Sequence, residues 1–298
     1  MSVGKPEQEQ NLPTGTSWIG IILHRFFRHK MALLGLGVMG LLTVGVLFAP
    51  YLTPYDPEEI DLDAMLAPPS LHHPLGTDEL GRDLLARLLY GGRVSLQIGI
   101  LSMVVALSIG TFIGAVAGYW GGTVDILLMR LTDFFLAFPR IFVLILFSSL
   151  LGPSLTNIIL VIGILSWMGV ARLVRASFLA LREQQFVEAA FAIGARNFRV
   201  MFKHILPNAL SPIIVAATLG VADAVIAESG LSFLGLGIQP PTATWGNMLR
   251  NALDQMFDAP WTGIFPGVMI FLAVLSITYI GDGLRDALDP RWIEKRKE

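Results

Sequence analysis

Residues 188–207 read EAAFAIGARNFRVMFKHILP, a polar, basic and helix-prone stretch between two long apolar runs. A segment of this kind in that position is a helical loop held at a membrane surface. Arg196, Arg199 and Lys203 lie within it, and Arg172, Arg175 and Arg182 lie on its approach. In a membrane protein such an excess of Lys and Arg marks the cytoplasmic face, so a soluble cytoplasmic partner can reach it. Ala189, Ala190, Ala192 and Ala195 offer a small-residue surface for close approach, Gly194 relaxes the backbone, and Pro207 is expected to end the helix. The stretch reads as a docking element; the alternative is an amphipathic helix lying among lipid headgroups.

Working outward, 54% of the 298 residues are hydrophobic and 15% are charged. Mean hydropathy is +0.65. That apolar content exceeds what a soluble domain carries and points to an all-α integral membrane protein. With no cysteine there is no disulfide framework, thiolate nucleophile or cysteine metal site, and the five histidines are scattered. No metal site is expected. The net charge of −2 hides basic residues concentrated in short segments. This argues against nucleic-acid binding and for a chain surrounded by membrane lipid.

A spanning helix needs about 20 mostly apolar residues, and about six segments qualify: 31–52, 94–119, 124–151, 157–179, 209–228 and 263–284. The first follows His24, Arg25, Arg28, His29 and Lys30 without a small-residue cleavage site, so it reads as an anchor. The resulting order is a cytoplasmic tail at 1–30 with 1–17 disordered, a first span at 31–52, an outward loop at 53–93, and a core at 94–284. Within the core lie the cytoplasmic loop 182–208 and an outward segment 230–262, and 285–298 form a second cytoplasmic tail. Arg285, Arg291, Lys295, Arg296 and Lys297 agree with that orientation, whereas the outward segments carry only Arg82, Arg87, Arg93 and Arg250.

Gly110, Gly114 and Gly118 form a small-residue stripe, read as helix packing rather than a substrate surface. His72 and His73, beside Pro74, read as a solvated turn rather than a metal site. Charges inside spans are costly, which makes Arg130, Asp133, Arg140, Asp223 and Glu228 candidates for a functional path through the bundle. The functional reading has them line a path through the bundle and meet the charged groups of a ligand. The structural reading has Arg130 neutralise Asp133 three residues on, and Asp223 and Glu228 pair with each other or with another subunit. Arg140 follows Pro139, which weakens the helix there. The outward segment 230–262 reads as a turn followed by a lid, with an amphipathic helix at 245–256. Trp245 and Trp261 are either part of that lid or interfacial anchors.

The order of Glu188-Ala189-Ala190, Gly194 and Ile205-Leu206-Pro207 resembles the signature loop of permease subunits in bacterial ATP-binding-cassette importers. Upstream, GTDELGRD at 76–83 with GRVSL at 92–96 is similar to the start of the permease core in the dipeptide/oligopeptide/nickel branch. LSFLGLGIQPPTATWGNML at 231–249 and GDGLRDALDP at 281–290 resemble its C-type subunit. The likeness runs from about residue 31 to 291.

It implies a type I importer permease fold in the bacterial inner membrane, with both termini cytoplasmic. It also implies that Glu188, Ala189, Ala190, Gly194, Ala195, Ile205, Leu206 and Pro207 form a coupling helix against an ATPase subunit. Gly194 would mark the turn between two short helices, and Phe191 and Phe198 are candidate anchors in the partner's pocket. Partners implied are a second homologous permease, two ATPase subunits and an extracytoplasmic substrate-binding protein. This chain is expected to hold no cofactor and catalyse nothing, with ATP and Mg on the ATPases. It has no phosphate-cradling G-x-x-x-x-G-K-[ST] loop, and its one glycine-preceded lysine is Lys5. A nickel or metal-chelate permease is the alternative within the branch. An ion-driven secondary transporter is the alternative of another class, but no inverted repeat is visible. A membrane scaffold or enzyme is disfavoured by the loop signature and the missing catalytic constellation.

Overall fold

The computed structural model describes residues 18–289. The disorder expected at 1–17, and the basic residues 291–297, lie outside the described residues. Among those described there is no strand, only an isolated bridge between Thr77 and Asp83.

The helices are α1 (Trp18–Phe26), α2 (Lys30–Leu47), α3 (Leu84–Trp120), α4 (Gly122–Leu136), α5 (Arg140–Leu151) and α6 (Leu155–Ile164). They continue with α7 (Trp167–Arg182), α8 (Gln185–Ala192), α9 (Leu206–Phe233), α10 (Trp245–Asn251) and α11 (Trp261–Leu288). Four helical runs are long and apolar enough to cross a membrane, and up to six spans result when each bent pair counts as one.

Two expected spans are not straight. The third breaks between α4 and α5, which meet at 81°. Pro139 lacks a backbone donor and constrains the residue before it, so the ladder cannot run through. The fourth breaks between α6 and α7, at 41°. The second span, expected at 94–119, starts ten residues earlier because Asp83 caps it, its carboxylate accepting from Ala86 N–H at 2.7 Å. At 37 residues α3 is about 55 Å long, more than a hydrocarbon core requires, so its first turns also join the segment that precedes it.

The glycine stripe on α3 is a packing device. A Cβ on Gly114 would collide with the Ala171 carbonyl oxygen, and one on Gly110 would lie 2.6 Å from Val170 Cβ. The backbone of α7 therefore rests directly on that of α3. Interhelical ion pairs reinforce the corner: Arg175 donates to Asp125 on α4, with one contact at 2.6 Å. Asp133 is taken by Arg172 at 2.5 Å. This corrects the expected Arg130–Asp133 pair, because α7 brings a guanidinium to the face of α4 that Asp133 occupies.

Segments 53–93 and 230–262 fold into one platform. Asp78 accepts from Arg82 Nε at 2.8 Å and lies 3.2 Å from Arg87 Nε. His73 pairs with Asp83 at 3.0 Å and stacks on Tyr55, with ring centroids 4.7 Å apart. His73 is therefore part of the folded platform, not a solvated turn. The expected lid is also different: α10 stops at Asn251 and is held by a capping box between Thr244 and Asn247. Trp245 is fully buried and donates through Nε1 to the Leu88 carbonyl at 2.9 Å. Trp261 donates to the Thr77 carbonyl at 3.3 Å. Trp245 is thus a core wedge between α10 and the start of α3 rather than a membrane anchor.

Candidate functional site

Two features could carry function: the loop at 182–208 and a cavity within the bundle. In the loop, α8 ends in a Schellman turn. Gly194 sits at φ +84°, its N–H bonds to the Phe191 carbonyl at 2.9 Å, and the Ala195 N–H reaches back to Ala190 at 3.0 Å. The chain then re-enters helix at Asn197–Arg199, passes a π turn at Val200–Ile205 and continues into α9. Pro207 lies at the start of α9, directly after the π turn, and the helical run continues through it. It opens the fifth span rather than ending the loop helix.

The signature residues divide between two faces. Ala190 and Ile205 are buried with Val187, Val200 and Met201, and this small core fixes the loop to the bundle. Glu188, Ala189, Gly194 and Pro207 are exposed, with Ala195 and Leu206 in between. Large apolar side chains also face out here: Phe191, Ile193 and Phe198 are 44%, 83% and 66% exposed. Glu188 stands in the first turn of α8, where the helix dipole favours an acid, and has no basic partner among the described residues. Tyr119, at the end of α3, donates its hydroxyl to Asn197 at 3.1 Å, which ties the second half of the loop to a second span.

The cavity, about 510 Å³, is bounded by α3, α9 and the two broken spans. Its lining is apolar except for Ser166, Arg140 and Asp223. Arg140 donates to Ser166 Oγ at 2.8 Å. Of the other three charged candidates, Arg130 is exposed on α4 and Asp133 is paired with Arg172. Glu228 is fully buried, accepting from Ser95 Oγ at 3.2 Å and Ser232 Oγ at 2.7 Å. Ser95 in turn accepts from the Trp245 N–H at 3.2 Å, so Glu228 joins α3, α9 and the start of α10. Among the described residues no group of three or more His, Asp or Glu is placed to hold a metal ion. Ser95, Ser166 and Ser232 escaped the sequence reading, since a serine in an apolar run gives no sign of its partner.

Residues 110–294 match the family described as the binding-protein-dependent transport system inner membrane component. The chain belongs to this family. Residues 17–69 match a second family, the N-terminal transmembrane domain of oligopeptide transport permease C, in agreement with the C-type resemblance. The permease is 45% identical over 264 residues to the dipeptide transport system permease protein DppC of Alkalihalophilus pseudofirmus, covering 89% of this chain and 87% of that protein. It is 42% identical to the oligopeptide transport system permease protein OppC of Haemophilus influenzae, covering 90% and 86%. To the glutathione transport system permease protein GsiD of Pectobacterium atrosepticum it is also 42% identical, covering 90% and 89%. In fold it is similar to a chain of the inward-facing MetNI methionine ABC transporter, with a TM-score of 0.55 and 21% identity over 69% of this permease and 96% of that chain. Its all-helical architecture is therefore that of an ABC importer permease.

Proposed function

We propose that this permease forms half of the translocation pathway of an ATP-driven importer of dipeptides and oligopeptides, and that its 182–208 loop couples the pathway to an ATPase subunit. The observation that carries this is the division of the loop into an inward face locked to α9 and an outward face with an unpaired Glu188 and exposed Phe191, Ile193 and Phe198. Such a surface is suited to a protein groove, where aromatic anchors contribute most of the binding energy. The relatives compared above are named for dipeptides, oligopeptides and glutathione, which favours a peptide over nickel.

The loop is mechanically joined to the pathway. From Asn197 to Phe233 the chain forms one helical run of 37 residues, bearing Asp223 at the cavity and Glu228 at the outward network. A displacement of the loop by closing ATPases moves that run as a lever, and alternating access follows as a rigid rearrangement of the bundle. A loaded extracytoplasmic binding protein on the outward platform biases the same equilibrium from the other side. In this reading a second permease completes the pathway, ATP and Mg bind on two ATPase subunits, and both termini are cytoplasmic in the inner membrane. Arg140 and Asp223 line the path; Arg130, Asp133 and Glu228 remain candidates to meet substrate in other conformations.

The test is reconstitution. Proteoliposomes containing this chain, its second permease and both ATPases should import trialanine only with ATP and loaded binding protein, while this chain alone should hydrolyse no ATP. ATP hydrolysis by the isolated chain, or import after the ATPases are removed, would contradict the proposal.

A further inference from the structure

The two broken spans meet at one place. Arg140 is the first residue after the α4–α5 break, Ser166 lies in the α6–α7 break, and the guanidinium of one donates to the hydroxyl of the other at 2.8 Å. Irregular backbone at membrane depth is tolerated where it lines a cavity, and broken helices commonly frame substrate sites in transporters.

Two opposite charges at this cavity attract each other without touching. Among the described residues Arg140 has no carboxylate, and Asp223 no cation, at salt-bridge distance. Contrast Asp125 and Asp133, each taken by an arginine of α7. An arginine and an aspartate held apart inside spans compensate each other only in part, and a ligand that brings both opposite charges can bridge them. The remaining lining is apolar, including Met103, Phe135, Phe138, Val143 and Leu219, so it accepts varied side chains without selecting among them. At about 510 Å³ the cavity lies within the roughly 300–1,000 Å³ of small-molecule sites.

We propose that this cavity is a binding site for a short zwitterionic peptide, in which Arg140, steadied by Ser166, receives the terminal carboxylate and Asp223 receives the terminal ammonium. This rests on the peptide-importer reading above and adds to it which end of the peptide each residue holds. A guanidinium suits a carboxylate because it can donate two parallel hydrogen bonds, and the Ser166 contact fixes its plane before the ligand arrives.

The experiment uses the assembled transporter, both permeases with both ATPases, titrated calorimetrically without the binding protein. Trialanine should bind with saturation below about 10 mM, and its C-terminal amide and N-acetyl derivatives should each bind about tenfold more weakly. Arg140→Gln should abolish the preference for free acid over amide and keep that for free amine over N-acetyl. Asp223→Asn, nearly isosteric and so the safer variant for assembly, should do the reverse. No binding of trialanine to the unmodified transporter, or variants that keep both preferences, overturns the proposal. Import by the complete system separates the two levels: import without cavity binding removes this assignment alone, whereas absence of import removes the peptide reading itself.

Discussion

Glu188 and Gly194 carry the most weight at the scale of single residues: the acid faces out without a basic partner among the described residues, and the glycine makes the left-handed turn that ends α8. Glu188 is exposed and unpaired, so Glu188→Lys should leave the thermal midpoint of the assembled transporter nearly unchanged, as surface substitutions usually do within about 0.5 kcal/mol. Import should nonetheless fall, with ATP hydrolysis uncoupled or lost, because a cation replaces an acid at the docking face. Gly194 differs: a Cβ there meets nothing within 4 Å, but φ is +84°, so Gly194→Val costs through backbone strain, about 1–2 kcal/mol, and misdirects the helix that follows. If both variants assemble and import trialanine at the unmodified rate with stimulated ATPase intact, the loop is not the coupling element. Both residues were legible in the sequence by type and spacing. Pro207 was misread because a proline fits both just after a helix and in its first turn, and only the helix that follows it decides. Ser166 was not legible: its role depends on the arginine brought across from another span.

At the scale of elements, hydropathy located the spans but could not give their shape. Ala137 and Phe138 keep the third span apolar straight through its 81° bend, so a hydropathy window sees continuity where the backbone has none. Trp245 was misjudged for a related reason, since a tryptophan at the end of a span is compatible with both a headgroup anchor and a buried wedge, and Leu88, its acceptor, lies far away in sequence. The glycine stripe was legible because a four-residue spacing places small residues on one helix face. Its consequence is testable. Gly114→Leu would place a side chain against the Ala171 backbone carbonyl, which cannot swing aside, so α3 and α7 must separate. Overpacking of this kind typically costs about 1–3 kcal/mol. The thermal midpoint of the assembled transporter should drop clearly, whereas Gly37→Leu, on an exposed position of α2 with nothing within 4 Å, should be tolerated. Equal midpoints for the two variants would show that the stripe does not set the helix contact.

For the whole molecule, orientation rests on where charge is concentrated, and the ion pairs qualify that charge count. Arg172 and Arg175 are spent on Asp133 and Asp125, and Arg82 and Arg87 on the Asp78 cluster, so free basic charge is smaller on both sides than the sequence suggests. Arg196, Arg199 and Lys203 remain exposed on the loop, and under the positive-inside rule they are what would hold that face in the cytoplasm in the proposed topology. The natural chain has no cysteine, so single cysteines report position without background. Asn197 in the loop and Thr242 before α10 are both exposed, and the loop and α10 belong to opposite faces in the proposed topology. In intact cells an impermeant maleimide should label Thr242→Cys and not Asn197→Cys, and permeabilised cells should show both. Labelling of Asn197→Cys alone from outside would invert the molecule. The loop would then face away from any cytoplasmic ATPase and the coupling mechanism would fail, even though family membership and the bundle itself would stand.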